Sequence, residues 1–166
     1  MAQALLSRRL ADLGSDTTVR SAGMLGDGHP PYPEVVSAMA GYGLDVSSHR
    51  SRRVTSEDLE GADLTLAMAR ENLRHAVVTA ASVWPQSFTL RELVRRGAAV
   101  GGRAQGETVA GWLARVHEGR ERAALLGDSP DDDVADPVGG PRRGYADTAA
   151  VLSDLVDRLV DLCWVS

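Results

Sequence analysis

Apolar residues recur along this chain at helical spacing in several blocks, and shorter apolar runs between them have the length of strands. Leu6, Leu10 and Leu13 share one stripe directly after Met1, and Gly14 supplies a stop, which predicts an opening helix. Residues 17–23, Thr-Thr-Val-Arg-Ser-Ala-Gly, predict a short strand ending in glycine. A loop rich in turn formers follows, with Gly26, Asp27, Gly28, His29, Pro30, Pro31 and Pro33. The spacing of Val35, Val36, Met39 and Ala40 predicts a helix over 34–42 that Gly43 ends. Ser56 is the expected N-cap of a short turn with Glu57, Asp58 and Glu60 near its start. Residues 62–68, Ala-Asp-Leu-Thr-Leu-Ala-Met, have buried-strand length, and 83–86 predict a further short strand. Helices are predicted over 70–80, 89–100, 108–122 and 145–163. The last carries the stripe Leu152, Leu155, Val156, Leu159, Val160 and Cys163.

Strands alternating with helices predict an α/β fold with a parallel sheet and right-handed crossovers. No internal repeat and no linker divides the 166 residues, so a single domain over 1–166 is expected. Composition then removes several function classes. Acidic groups outnumber basic ones 23 to 18, a net charge of -5, which argues against an electrostatic nucleic-acid binder. The single cysteine, Cys163, excludes an internal disulfide, and no Cys/His cluster has zinc spacing. No metal and no cofactor are expected. No apolar run approaches the ~18 residues of a membrane span, so the expectation is a cytoplasmic protein with no membrane partner.

Several segments, taken in order, resemble the low-molecular-weight protein-tyrosine-phosphatase family. Met1 to Leu6 looks like the helix that follows that family's phosphate-binding loop. Ser21-Ala22-Gly23 resembles its strand-end Ser-Ala-Gly, and Gly28-His29-Pro30-Pro31 its next loop. Gly43-Leu44 with His49-Arg50-Ser51-Arg52 is similar to its Gly-Ile followed by His-x-Ala/Ser-Arg. Leu66-Ala67-Met68 and Asn72-Leu73 look like a strand and the start of the next helix. Asp133-Val134-Ala135-Asp136-Pro137 resembles the family's acidic loop ending in Asp-Pro. Each piece alone is weak; six in the family's order are not.

The resemblance implies a three-layer α/β architecture, a small parallel sheet flanked by helices. It also implies hydrolysis of phosphotyrosine or a small aryl phosphate through a cysteinyl-phosphate intermediate, without metal. In that chemistry a ring of backbone N–H groups at a helix N-terminus and a bidentate arginine hold the phosphate dianion. The same ring lowers the pKa of the attacking cysteine. The family's Cys-x5-Arg-Ser motif is not among these residues, and the chain reads as one lacking the first strand and the catalytic loop. Cys163 lies on the apolar stripe of the last helix, with no arginine five residues on, so it is expected to be a core residue.

By resemblance Asp136 is the general acid that protonates the leaving oxygen, and Pro137 fixes its loop. Taken alone, Asp-Pro is common turn chemistry, and Asp131 to Asp133 read as a solvated acidic loop. Ser21 and His49 align with side chains that brace the phosphate loop by hydrogen bonding; the alternative is local backbone bonding. Arg50, Arg52 and Arg53 form a small basic cluster that reads as a solvated face. The expectation is therefore a phosphatase relative that is inactive as written. The competing reading is a non-catalytic pseudophosphatase that binds or regulates. Exposed strand edges also predict self-association.

Overall fold

The structure, a computed structural model, describes residues 1–165 and resolves two compact units. One comprises Met1–Val54 with Ala135–Val160. The other comprises Thr55–Val134 with the residues from Asp161 on.

The first unit is built on helices. Helix α1, Ala2–Asp12, buries Leu5, Leu6 and Leu10. Leu13 falls at its C-cap and is exposed, since the helix ends before the stripe reaches it. Gly14 then reverses the chain at φ 68°, a conformation open to glycine at little cost. Helix α2, Pro33–Ala40, starts with proline in its first turn, where the missing N–H would have had no partner anyway, and buries Met39.

Residues 17–23 do not form the predicted strand. An extended segment becomes a strand only where its N–H and C=O groups meet those of a neighbour. Here only Gly23 does so, in a parallel bridge with Arg53. A long helix, Arg142–Cys163, starts three residues earlier than predicted and contributes most of its length to this unit. It buries Leu152, Leu155, Val156, Leu159 and Val160.

The second unit holds the sheet. Helix α3, Ser56–Glu60, is capped one residue earlier than predicted. Thr55 accepts from the backbone N–H of Asp58, whose side chain accepts from the Thr55 N–H, a reciprocal capping box. Strand β1 covers Thr65–Ala67 only. Helix α4, Arg70–Thr79, crosses to β2, Ser87–Thr89. The two strands pair in parallel, Thr65 with Ser87, Leu66 with Phe88 and Ala67 with Thr89. The strand expected over 83–86 is instead part of a 3-10 turn, Ala81–Gln86, because Pro85 has no N–H for a ladder. The strand forms immediately after it, where Ser-Phe-Thr offers aromatic and β-branched side chains.

Helix α5, Leu90–Val100, is capped by Thr89, whose hydroxyl accepts from the Glu92 N–H at 3.1 Å. Helix α6, Val109–His117, ends five residues short of the prediction, and Gly119 at φ 73° turns the chain there. With these seven helices numbered in chain order, the long C-terminal one is α7. The α/β class and the small parallel sheet flanked by helices are as expected.

Leu73, Val77, Trp84 and Leu125 pack with Ala67 in the core of this unit. Gly97 of α5 faces the ring of Trp112 on α6; a Cβ there would stand 2.8 Å from Cζ2. Arg120 is buried with its guanidinium carbon 3.8 Å from the Trp84 ring centroid and 3.9 Å from that of Phe88. Its Nε and one Nη grip Glu92 at 2.7 and 2.8 Å. The charge is buried, yet its donors are filled and two ring faces cover it.

Candidate active site

The first turn of α1 is where a polar side chain meets the segment that follows the helix. Gln3 Nε2 donates to the Val19 carbonyl at 3.3 Å, and Gln3 Oε1 accepts the Ser21 hydroxyl at 2.5 Å. The Ser21 carbonyl in turn accepts from Arg52 Nε at 3.1 Å. Three stretches far apart in sequence are thereby joined at the start of α1, a helix whose N-terminus carries no side-chain cap. Such an end leaves backbone N–H groups free to receive an acceptor.

A backbone latch holds the two loops around this point. Gly23 N–H donates to the Arg52 carbonyl and Val54 N–H to the Gly23 carbonyl, both at 2.9 Å. Gly28 donates to the Ser51 carbonyl at 2.8 Å, and Ser51 returns a bond to the His29 carbonyl at 2.9 Å. The Ser51 hydroxyl donates to the Gly26 carbonyl at 2.7 Å. Asp27 Oδ1 accepts the Arg53 backbone N–H at 2.5 Å.

His49 lies in the same loop pair but is exposed. Its backbone N–H bonds the Val46 carbonyl, and its ring makes no hydrogen bond among the described residues. Asp136 is also exposed. Its Oδ1 accepts the Val138 N–H at 3.0 Å, an Asx turn that fixes the carboxylate's direction. The Ala135 carbonyl beside it accepts the Thr148 hydroxyl of α7 at 3.3 Å. Of the three residues singled out from the sequence, Ser21 is thus tied to α1. No hydrogen bond links His49 or Asp136 to Ser21 or Gln3. Gln3 is the member that sequence reasoning missed; its signal was a polar side chain in the first turn of an otherwise apolar helix start. Arg52, expected on a solvated face, is instead half-buried and bonded to Ser21.

The acidic run before Asp136 is not the solvated loop expected. Asp132 is buried, not solvated, and accepts from Arg70 Nε and Nη2 at 2.9 and 2.8 Å and from Arg95 Nη2 at 2.7 Å. Burial pushes its carboxyl up, but the Arg95 and Arg70 donors outweigh that and hold it below the usual range. Asp133 takes the Arg70 backbone N–H at 2.7 Å and the Ser129 N–H at 2.9 Å, so it caps α4 from 63 residues away. Val134 N–H bonds the Met68 carbonyl at 2.8 Å.

Cys163 is buried, as its place on the stripe implied. Burial pushes its thiol up to about 11, against a smaller opposing pull from Arg103. A thiol so placed is a poor nucleophile near neutrality. No cluster of residues that could hold a metal ion occurs among the described residues.

Comparison with known proteins converges on one family. The family model described as low molecular weight phosphotyrosine protein phosphatase matches residues 1–98. A probable low molecular weight protein-tyrosine-phosphatase EpsP of Ralstonia solanacearum is 35% identical over 94 residues, 56% of this chain and 62% of that protein. Its counterpart in Ralstonia nicotianae is 41% identical over 69 residues, 41% of this chain and 45% of that protein. The match therefore spans less than two thirds of the length of these curated relatives. Among solved structures, the low molecular weight protein tyrosine phosphatase of T. tengcongensis has a TM-score of 0.71 at 31% identity, covering 96% of this chain and 87% of that one. A YwlE arginine phosphatase with a phosphorylated active site serine has a TM-score of 0.70 at 26% identity, covering 97% and 84%.

Proposed function

Because the chain belongs to the low molecular weight phosphotyrosine protein phosphatase family, we propose that its substrates are phosphorylated proteins or small aryl phosphates, with Asp136 as general acid. In that reaction a thiolate attacks phosphorus, and the phosphorus–oxygen bond breaks as the acid gives its proton to the leaving oxygen. Water then releases phosphate from the cysteinyl phosphate. Ser21 and His49 are the side chains assigned to brace the phosphate-holding loop, and Gln3 fixes Ser21 from the first turn of α1. The exposed carboxylate of Asp136, held by its Asx turn, suits a group that must meet a leaving oxygen. The family match over residues 1–98 carries the phosphatase reading; Asp136 lies beyond those residues and is assigned by its Asp-Pro resemblance.

The 166 residues contain no Cys-x5-Arg sequence, and Cys163 is buried. By themselves they hold no competent nucleophile, and we expect them to turn over no phosphate ester. The decisive experiment joins a strand and a Cys-x5-Arg-Ser-Pro loop in front of Met1. The extended chain is expected to hydrolyse a phosphotyrosine peptide. Asp136→Asn in it slows cleavage of a poor leaving group by roughly 10²–10⁴-fold. An unchanged rate removes Asp136 from the mechanism. A phosphoarginine peptide assayed alongside separates the two substrate classes that the relatives' names carry.

The burial of Cys163 favours a second reading, a non-catalytic pseudophosphatase that binds or regulates a phosphoprotein. Binding of a phosphotyrosine peptide without turnover by the 166 residues supports it. Failure to bind any phosphopeptide removes it.

A further inference from the structure

Positive charge collects on the latched loops. The unit made of Thr55–Val134 and the residues from Asp161 on has nine arginines against fourteen carboxylates, whereas the other unit has nine against nine. Within the latter, residues 20–29 and 49–54 hold Arg20, Arg50, Arg52 and Arg53 against one carboxylate, Asp27. That carboxylate is engaged by a backbone N–H, not by a guanidinium.

Arg70, Arg95, Arg115 and Arg120 each hold a carboxylate. Among the described residues, Arg20, Arg50 and Arg53 hold none. Arg50 Nη1 turns back to the Ser47 and His49 carbonyls at 3.0 and 2.7 Å, while the side chains of Arg20 and Arg53 make no hydrogen bond. All three residues are exposed. The backbone latch fixes the loop that carries Arg50 and Arg53, and Gln3 holds Val19 and Ser21 on either side of Arg20, so little ordering remains to be done when a partner docks.

We infer that these paired loops are a docking surface for an acidic peptide segment. The identification of that segment as the acidic flank of a phosphorylated protein rests on the proposed function; the docking itself does not. Complementary charge steers such a peptide to the loops and away from the acid-rich unit.

The test measures fluorescence anisotropy of a labelled peptide of about ten residues, alternating Glu and Ser, with the whole 166-residue chain. A Lys–Ser peptide of the same length serves as comparator. The acidic peptide is expected to bind and the basic one not to. Binding weakens several-fold as salt rises from about 20 to about 150 mM. Arg20→Glu combined with Arg53→Glu weakens it roughly tenfold at low salt, and Arg53→Gln alone by a smaller factor. Arg53→Lys keeps the affinity. Equal binding by the charge-reversed protein, equal binding of the basic peptide, or indifference to salt overturns the inference.

Unfolding curves of the variants separate lost docking from lost fold. A phosphotyrosine placed in the acidic peptide reads the proposed function separately. Charge-dependent binding that ignores the phosphate leaves the docking surface standing and counts against the second reading, in which the 166 residues themselves bind phosphoprotein. Phosphate-dependent binding that ignores the arginines does the reverse.

Discussion

Ser21 and Gln3 share a hydrogen bond of 2.5 Å across 18 residues of sequence, and through it the first turn of α1 is fastened to the segment that precedes the latched loops. Removing either partner leaves a part-buried polar group unmet. Ser21→Ala and Gln3→Ala are each expected to cost about 1 kcal/mol in denaturant unfolding. Their double mutant should cost less than the sum, by about 0.5–1 kcal/mol. Strict additivity would show that the bond contributes nothing to the fold.

Cys163 is expected to be chemically silent. With its thiol at about 11 and its side chain in the core, alkylation at pH 8 should be slow in the native chain and fast in denaturant. Cys163→Ser should leave aryl phosphate hydrolysis at background. Rapid native labelling contradicts the core placement.

Arg120 and Glu92 form a pair whose halves depend on each other. Burial lowers the Arg120 pKa and the Glu92 hydrogen bonds oppose that shift. Truncating the arginine exposes Trp84 and Phe88 to an emptied site and leaves Glu92 uncompensated. Arg120→Ala is therefore expected to lose about 3–5 kcal/mol by denaturant titration. Arg120→Lys should recover only part of this, since an ammonium cannot both grip the carboxylate with two donors and lie flat between two rings.

Glu107 sets an acid limit. The Arg115 side chain first, then the Ala104 N–H, hold its carboxyl down to about 2 from an ordinary 4.5. A folded value below the unfolded one means the unfolded chain binds the proton first as pH falls. The contribution is whole above about 4.5 and is lost as pH drops towards about 2. Glu107→Gln should lower Tm at pH 7, and its difference from the unmodified chain should shrink through that window. A constant difference would place the effect elsewhere than in the ionised carboxyl.

How far the sequence disclosed this structure depended on distance along the chain. Helices α2, α4, α5 and α7 follow from local periodicity, and their ends lie within three residues of the pattern. The strand predicted at 83–86 moved to Ser87–Thr89 because a pattern of apolar residues does not register that Pro85 cannot join a ladder. Residues 17–23 have strand propensity, but whether they pair is decided by neighbours that no local window contains. Asp132 looked like one of three equivalent solvated acids. Its burial depends on Arg70, 62 residues away, and on Arg95. The site divides in the same way: Ser21, His49 and Asp136 were legible as residues of a resembling motif, whereas the Gln3 and Arg52 contacts to Ser21 exist only after folding.

The order in which the chain leaves the ribosome gives the two units different histories. Residues 55–134 are emitted as one stretch, with β1, α4, β2, α5 and α6 all present before α7 exists. Their parallel pairing spans 22 residues, a short loop to close. Only the residues of that unit from Asp161 on come later, whereas in the other unit Met1–Val54 cannot pack against Ala135–Val160 until the whole of that stretch is synthesised. Its contacts between those two stretches are of high sequence separation and are expected to form late. During translation the exposed partner-seeking surface is therefore that of α1 and α2, and this is the stretch on which a chaperone would act longest.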